Sequence, residues 1–247
     1  MDPIPPRLLR LLTYNIHKGI GGLDRRYRLG RIARVIAAQD ADVVLLQEVD
    51  EGAPRSCGER QVDVLGERLG YPHRAYFPNV TLRRGHYGNA LLSRTPIDHA
   101  ENLDLSVWRF KRRGALHARL WFDDPSGRRC PWIFNVHLGL TEIERRIQLR
   151  RLVAWTQNER PDGASACVIA GDFNDTWGRL GRVVLEPAGY HTRSRSLLTF
   201  PAWAPLLDLD RCYVRGPIVL TRASAPRLGL VRHASDHLPV VVELRFR

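Results

Sequence analysis

The sequence predicts an α/β fold with strands of both orientations and helices between them. Three observations lead there: apolar runs of strand length, amphipathic stretches between them, and a hairpin signal near the middle of the chain. Residues 43–46 and 166–170 are continuous apolar runs, as strands covered on both faces require. Leu29, Ile32, Ala33, Val35 and Ile36 recur at helical spacing. Asp123-Asp124-Pro125-Ser126-Gly127 separates two strand-like segments and reads as a turn, because Pro and Gly supply its backbone angles. The pattern suggests two packed sheets covered by helices on the outside, although periodicity also accommodates a single mixed sheet.

In chain order, residues 7–16 form a first strand that ends at Asn15 and is broken by Gly19, Gly21 and Gly22. The first helix follows and gives way at Gln39-Asp40 to strand 43–46, with Gln47-Glu48 at its carboxyl end. A second helix runs through Val62, Leu65 and Leu69, and strands are expected at 74–77 and 89–93. Segments 115–122 and 131–137 flank the turn and pair antiparallel. Thr141 opens the longest helix with Glu144 as a capping-box partner, turning Ile143, Ile147, Leu152, Val153 and Trp155 toward a core. A short helix at 180–185 and strands at 209–214, 218–221 and 238–246 complete the chain, without an internal repeat.

The 247 residues are enough for one sizeable core, and no linker divides them. We therefore expect a flexible lead over 1–6 and one catalytic domain over 7–247. With 44% hydrophobic residues and a mean hydropathy of -0.29, no apolar run approaches the roughly 20 residues that span a bilayer. The proline-rich start lacks a secretion signal, so a cytoplasmic protein is expected. Cys57, Cys130, Cys167 and Cys212 lack paired metal or redox spacing and read as buried free thiols. A net charge of +12 favours a polyanionic partner, although Lys18 and Lys111 are the only lysines and the arginine excess also fits a compositional bias.

Chemistry concentrates at strand ends. Glu48, Asp172 and Asp236 are carboxylates beside buried strands, where a charge is costly unless it meets a cation or a donor. Magnesium binds such oxygens, keeping several waters and sharing a substrate phosphate. His237 follows Asp236, and strand alternation would send the two to different faces, one toward metal and one toward phosphorus. Its ordinary pKa suits a general base, and such a base needs a carboxylate to fix its tautomer. Asp208 and Asp210 lie on one face of their strand, and the pattern alone does not choose between them. His137, at the end of 133–136, is a second histidine at a strand terminus.

Seven segments in order, Leu12-Thr13-Tyr14-Asn15, Leu46-Gln47-Glu48, Gly88-Asn89-Ala90-Leu91-Leu92-Ser93-Arg94, Asn135-Val136-His137-Leu138, Gly171-Asp172-Phe173-Asn174, Leu209-Asp210-Arg211 and Ser235-Asp236-His237, cover nearly the whole chain. Together they resemble the endonuclease/exonuclease/phosphatase superfamily, which includes pancreatic-type deoxyribonuclease, neutral sphingomyelinases and inositol-polyphosphate 5-phosphatases. The resemblance implies a four-layer α/β sandwich: two mixed, mostly antiparallel sheets packed face to face and flanked by helices. It implies Mg2+, replaceable by Mn2+, held by Glu48 with Asn15 and Asp236, and no organic cofactor. His237 would be the general base oriented by Asp210, whose surroundings match the family motif better than those of Asp208. Asp172 would position the attacking water, Asn174 would hold a non-bridging oxygen, and His137 would serve the phosphate or leaving oxygen. Arg113 and Asn89 would reach the phosphate.

The expected activity is phosphodiester hydrolysis, first on DNA or RNA, with basic clusters at Arg83-Arg84, 109–113 and 145–151 along the substrate. Hydrolysis of a phospholipid or small phosphoester is the alternative, with loops around Trp108, Phe200 and Trp203 meeting a membrane surface. An inactive nucleic-acid-binding protein is a third reading, disfavoured because every catalytic position is filled. A monomer is expected.

Overall fold

The computed structural model describes residues 8–125, 127–158, 165–193 and 197–247. The expected flexible lead, 1–6, lies outside the described residues, as do Arg7 of the expected first strand and Ser126 of the expected turn. The first half of the chain runs β1 (Leu9–Asn15), α1 (Leu29–Ala37), β2 (Val43–Glu51), α2 (Gln61–Leu69), β3 (His73–Thr81), β4 (His86–Ser93), β5 (Ile97–Asp104) and β6 (Gly114–Leu120). There follow β7 (Phe122–Asp124), β8 (Gly127–Arg129), β9 (Trp132–His137), α3 (Glu142–Asn158), β10 (Cys167–Asp172), β11 (Asp210–Arg215), β12 (Ile218–Ser224), α4 (Val231–Ala234) and β13 (Val240–Phe246).

Two sheets form, ordered β12-β13-β1-β2-β4-β3 and β11-β10-β9-β6-β5, and β7 and β8 make a separate ribbon. Among the described residues only β1–β2 and β9–β10 pair in parallel, so both sheets are mixed and mostly antiparallel, as expected. Side-chain alternation divides the apolar residues into three layers. Leu9, Leu11, Val43, Leu45, Val168, Ala170, Cys212 and Val214 meet between the sheets. Leu12, Tyr14, Val44 and Leu46 point the other way, into α1 and α2. Ile169 and Tyr213 point outward into the layer holding Leu149 and Leu152 of α3. The result is a helix–sheet–sheet–helix sandwich.

Several local expectations are corrected. β5 was not anticipated, because the largely polar Ile97–Asp104 is half-exposed at a sheet edge and shows no continuous apolar run. Strand β2 continues to Glu51, so Glu48 sits inside it rather than beyond its end. Ile143 is exposed on α3 while Glu144 and Gln148 are buried. Thr141 Oγ1 does accept from the Glu144 N–H at 3.3 Å, but the Glu144 carboxylate accepts from Gln148 Nε2 at 3.3 Å. Cys57 is exposed and Cys130 half-buried; only Cys167 and Cys212 are buried thiols. Asp236 and His237 lie in the bend between α4 and β13, so strand alternation does not separate them.

Candidate active site

The same alternation that builds the inner layer delivers the site. Continuing inward positions along their strands, Leu11 leads to Asn15, Leu45 to Gln47, Ile133 to Asn135 and His137, and Ala170 to Asp172. At one end of the sandwich the inner layer therefore changes from aliphatic to polar. Gln47 Nε2 donates across the sheets to Asn135 Oδ1 at 2.7 Å, and Asn135 Nδ2 donates to Leu46 O and Ala90 O at 2.9 Å each. These bonds tie the two sheets together beneath the site and use both amides' nitrogens, while Gln47 Oε1 is left without a partner among the described residues.

Glu48 breaks the alternation. Strand β2 carries a register shift between Leu46 and Val49, and Glu48 has a φ of 57°, the left-handed conformation at a bulge. The bulge re-aims a carboxylate that would otherwise fall on the helix-covered face. Lys18 Nζ, from a turn in which His17 and Lys18 also have positive φ, pairs with Glu48 Oε2. Burial works against a charged Glu48, and the Lys18 ammonium bonded to it works the other way and holds the carboxyl below its ordinary value. Glu48 is thus an ionised carboxylate in a cleft.

Asp172 is the hub. Its Oδ2 accepts from Asn15 Nδ2 at 3.0 Å and lies 3.6 Å from His137 Nε2 and 3.7 Å from His237 Nε2. Its Oδ1 accepts from the Asn174 N–H at 2.9 Å. The other ring nitrogen of His237, Nδ1, is 2.8 Å from Asp210 Oδ2, which also accepts from Thr199 Oγ1 at 2.6 Å. The choice left open by the strand pattern is resolved geometrically: Asp208 turns away and pairs with Arg211 at 3.2 Å. Burial disfavours a charged His237, yet Asp210, Asp172 and Asp236 override it and hold the pKa up to about 10. Burial and Arg113 push His137 well below its ordinary value, so this imidazole is neutral. Burial raises the Asp172 carboxyl, against the pull of His237.

Asp236 is partly exposed and 3.8 Å from His17 Nε2. Asn174 donates through Nδ2 to Leu138 O at 2.9 Å, which leaves one amide proton. Arg113 is buried, with its Nε among the unpartnered buried nitrogens of the described residues. Asn89 departs from expectation: its Nδ2 donates to Gly114 O at 3.0 Å and Asn135 O at 3.3 Å, so both protons bind backbone carbonyls and neither faces a phosphate.

Asp172, Asp210 and His237 bring ligand-type atoms within 4.8 Å of one another. Two of those atoms, on Asp210 and His237, are already bonded together. Glu48 and Asp236, the other carboxylates of this end, would offer oxygen donors of the kind magnesium prefers, with Glu48 paired to Lys18 and Asp236 near His17. Sequence reasoning missed Thr199, Ser235, whose Oγ donates to Asn15 O at 2.7 Å, and Lys18. Lys18 carried a usable signal: both lysines of this arginine-rich chain sit at this end, Lys111 lying 4.7 Å from the Tyr87 ring centroid. Ser235 stood in the Ser235-Asp236-His237 motif without a role being read for it, and Thr199 carried no signal, since hydroxyls in loops are ordinary.

The family model for the Endonuclease/Exonuclease/phosphatase family matches residues 12–237, a span that includes every candidate site residue. The chain belongs to this family. Its members are hydrolytic, metal-dependent phosphoesterases. The uncharacterized protein YbhP of Escherichia coli is 36% identical over 251 residues, covering 95% of each chain. The fold is shared with an endonuclease/exonuclease/phosphatase from Beutenbergia cavernae at a TM-score of 0.77 and 24% identity, over 97% of this chain and 72% of that one. It is also shared with the mannosyl-6-phosphatase Bt3783 of Bacteroides thetaiotaomicron, at a TM-score of 0.75 and 18% identity, over 96% and 100%. TDP2 of D. rerio, solved with a single-strand DNA product, aligns at a TM-score of 0.70 and 20% identity, over 96% and 99%.

Proposed function

We propose that this member of the family is a phosphodiester hydrolase acting on nucleic acid, with His237 as general base. The observation that carries this reading is the buried chain Asp210–His237–Asp172, in which a carboxylate 2.8 Å from Nδ1 aims Nε2 toward Asp172. Asp210 fixes the tautomer and, with Thr199, the ring orientation. Asp172, held by Asn15 and the Asn174 N–H, accepts from the attacking water and aligns it beside His237. The free amide proton of Asn174 and neutral His137 meet charge developing on phosphoryl and leaving oxygens, where preorganised donors gain most. Arg113 adds positive charge next to His137.

Glu48, Asp236 and Asn15 would hold Mg2+. When bound, the cation polarises the phosphoryl oxygen and lowers the proton affinity of the neighbouring imidazole. The carboxylates of Asp210, Asp172 and Asp236 favour protonated His237, and a cation held by the neighbouring residues would oppose them. Nucleic acid is favoured by the charge of +12 and by exposed Arg83, Arg84, Arg109 and Arg112 at the site end. TDP2, which has this fold, was solved with a DNA product. Cleavage of plasmid and of single strands with Mg2+, beside His237→Ala, tests the reading. Turnover is expected to fall about 10²- to 10⁴-fold in the variant, and near-normal cleavage by it would remove His237 from this role.

A further inference from the structure

Strand directions divide the loops into two sets, and the exposed apolar residues are not shared evenly between them. The loop after β1 carries Leu23, 52% exposed, and the β5–β6 loop carries Trp108 at 78% and Phe110 at 42%. The segment after β9 carries Leu140 and Ile143, that after β10 Trp177 at 79%, the one before β11 Leu206, and the one between β12 and β13 Leu228 at 85%. By their strand registers all of these loops open at the end that holds Asp172 and His237. Among the described residues, eight of the ten exposed large hydrophobics lie in these segments, the others being Leu8 and, on the helical turn within the β10–β11 connection, Val183. Single exposed apolar residues are ordinary; a concentration around one functional end is not.

The same loops are basic. Exposed Arg25, Arg109, Lys111, Arg179 and Arg227 each stand within two positions of one of these apolar residues. Arg83, Arg84, Arg109 and Arg227 have no ion-pair partner among the described residues. Burial and Arg113 depress the Lys111 ammonium, against the pull of the Glu48 carboxylate. Trp177 and Leu206 also flank a cavity of about 420 Å³ whose walls include Arg182 and Arg211.

We propose that the active-site end is an interfacial face that lies against an anionic phospholipid surface, its apolar side chains entering the boundary between headgroups and acyl chains. Neither half of the pattern suffices alone, since stable peripheral attachment needs apolar insertion together with a basic patch. A polynucleotide explains the arginines and could stack on Trp108 or Trp177, but it offers nothing to Leu23, Leu140, Ile143, Leu206 or Leu228. A bilayer accounts for both. The inference goes beyond the hydrolytic reading of the site: it assigns what the face rests on, not which phosphodiester is cleaved.

The test is co-sedimentation of the full chain with vesicles of phosphatidylcholine alone and of phosphatidylcholine mixed equally with phosphatidylglycerol. His237→Ala is run alongside; it lacks the proposed base but keeps the face, so failure to dock and failure to hydrolyse are read separately. Wild type and His237→Ala are expected to bind the mixed vesicles at least tenfold more tightly than the neutral ones, with a blue shift of tryptophan emission. Trp108→Ser with Trp177→Ser should weaken this binding at least tenfold, and Arg109→Gln with Arg227→Gln should remove the preference for anionic lipid. Thermal melting checks that these exposed substitutions leave the fold intact. No sedimentation, or equal binding by the Trp variant, would overturn the proposal. So would a Trp variant that loses single-stranded oligonucleotide binding and retains the vesicles, which would make the face a stacking platform.

Discussion

The two histidines beside Asp172 have opposite proton affinities, and the difference follows from their neighbours. Both are buried, but around His237 the carboxylates of Asp210, Asp172 and Asp236 outweigh burial and hold it up to about 10, whereas for His137 burial and Arg113 together hold it down against Glu48. In protein stripped of divalent cations, an NMR titration of the ring protons should keep His237 charged through pH 8, and Asp210→Asn should shift its titration toward lower pH. Added Mg2+ should do the same in wild type, because a cation on Glu48 and Asp236 opposes the imidazolium. A His237 already neutral at pH 7 without metal would contradict this electrostatic picture. At this scale the sequence was informative wherever a motif supplied it: Asp172 accepts from the Asn174 N–H and lies 3.7 Å from His237, and Asp210 rather than Asp208 takes His237. It was uninformative for Asn89, because its partners Gly114 and Asn135 lie on strands whose pairing no local pattern specifies.

Elements succeed or fail on how closely strands approach. Gly171 has a φ of 146°, and a Cβ there would lie 1.9 Å from Val136 O on the neighbouring strand. Gly171→Ala is therefore expected to cost on the order of 3 kcal/mol in denaturant unfolding, and to disturb Asp172 next to it. Under α3, His117 sits 4.4 Å from the Trp155 ring and 5.4 Å from that of Phe134. Burial pushes its pKa down to about 4, although Glu101 works against this. The unfolded chain binds the proton first on acidification, so this contribution is complete above pH 6.5 and is lost as pH falls toward 4. It amounts to about 3 kcal/mol. His117→Phe should flatten the stability profile across that window; an unchanged slope would show that His117 is not its source. Apolar elements were legible in sequence because burial on both faces writes a continuous run. The edge strand β5 was not, since one exposed side removes the pattern, and the bulge at Glu48 left no mark because it depends on pairing with β4.

Across the whole molecule, the sandwich works as a rigid frame: three apolar layers hold two sheets whose inner positions turn polar at one end only. That end also gathers both lysines, exposed arginines such as Arg83, Arg84 and Arg109, and most of the exposed apolar residues. If the substrate is nucleic acid, cleavage should fall at least about tenfold between low and physiological salt, as released counterions would require. A salt-independent rate would instead indicate an uncharged or small substrate. The layer architecture was legible in the ordered motifs, whereas the uneven distribution of exposed apolar loops was not, since it emerges only when strand directions bring distant segments to one side. The most direct test of the central claim is hydrolysis of supercoiled plasmid, linear duplex and single strands by wild type with Mg2+, with Mn2+ and with chelator, beside folded Glu48→Ala and His237→Ala variants. The account predicts cleavage that needs the cation and is lost in both variants. Cleavage that persists in chelator, or in either variant at the wild-type rate, would contradict it.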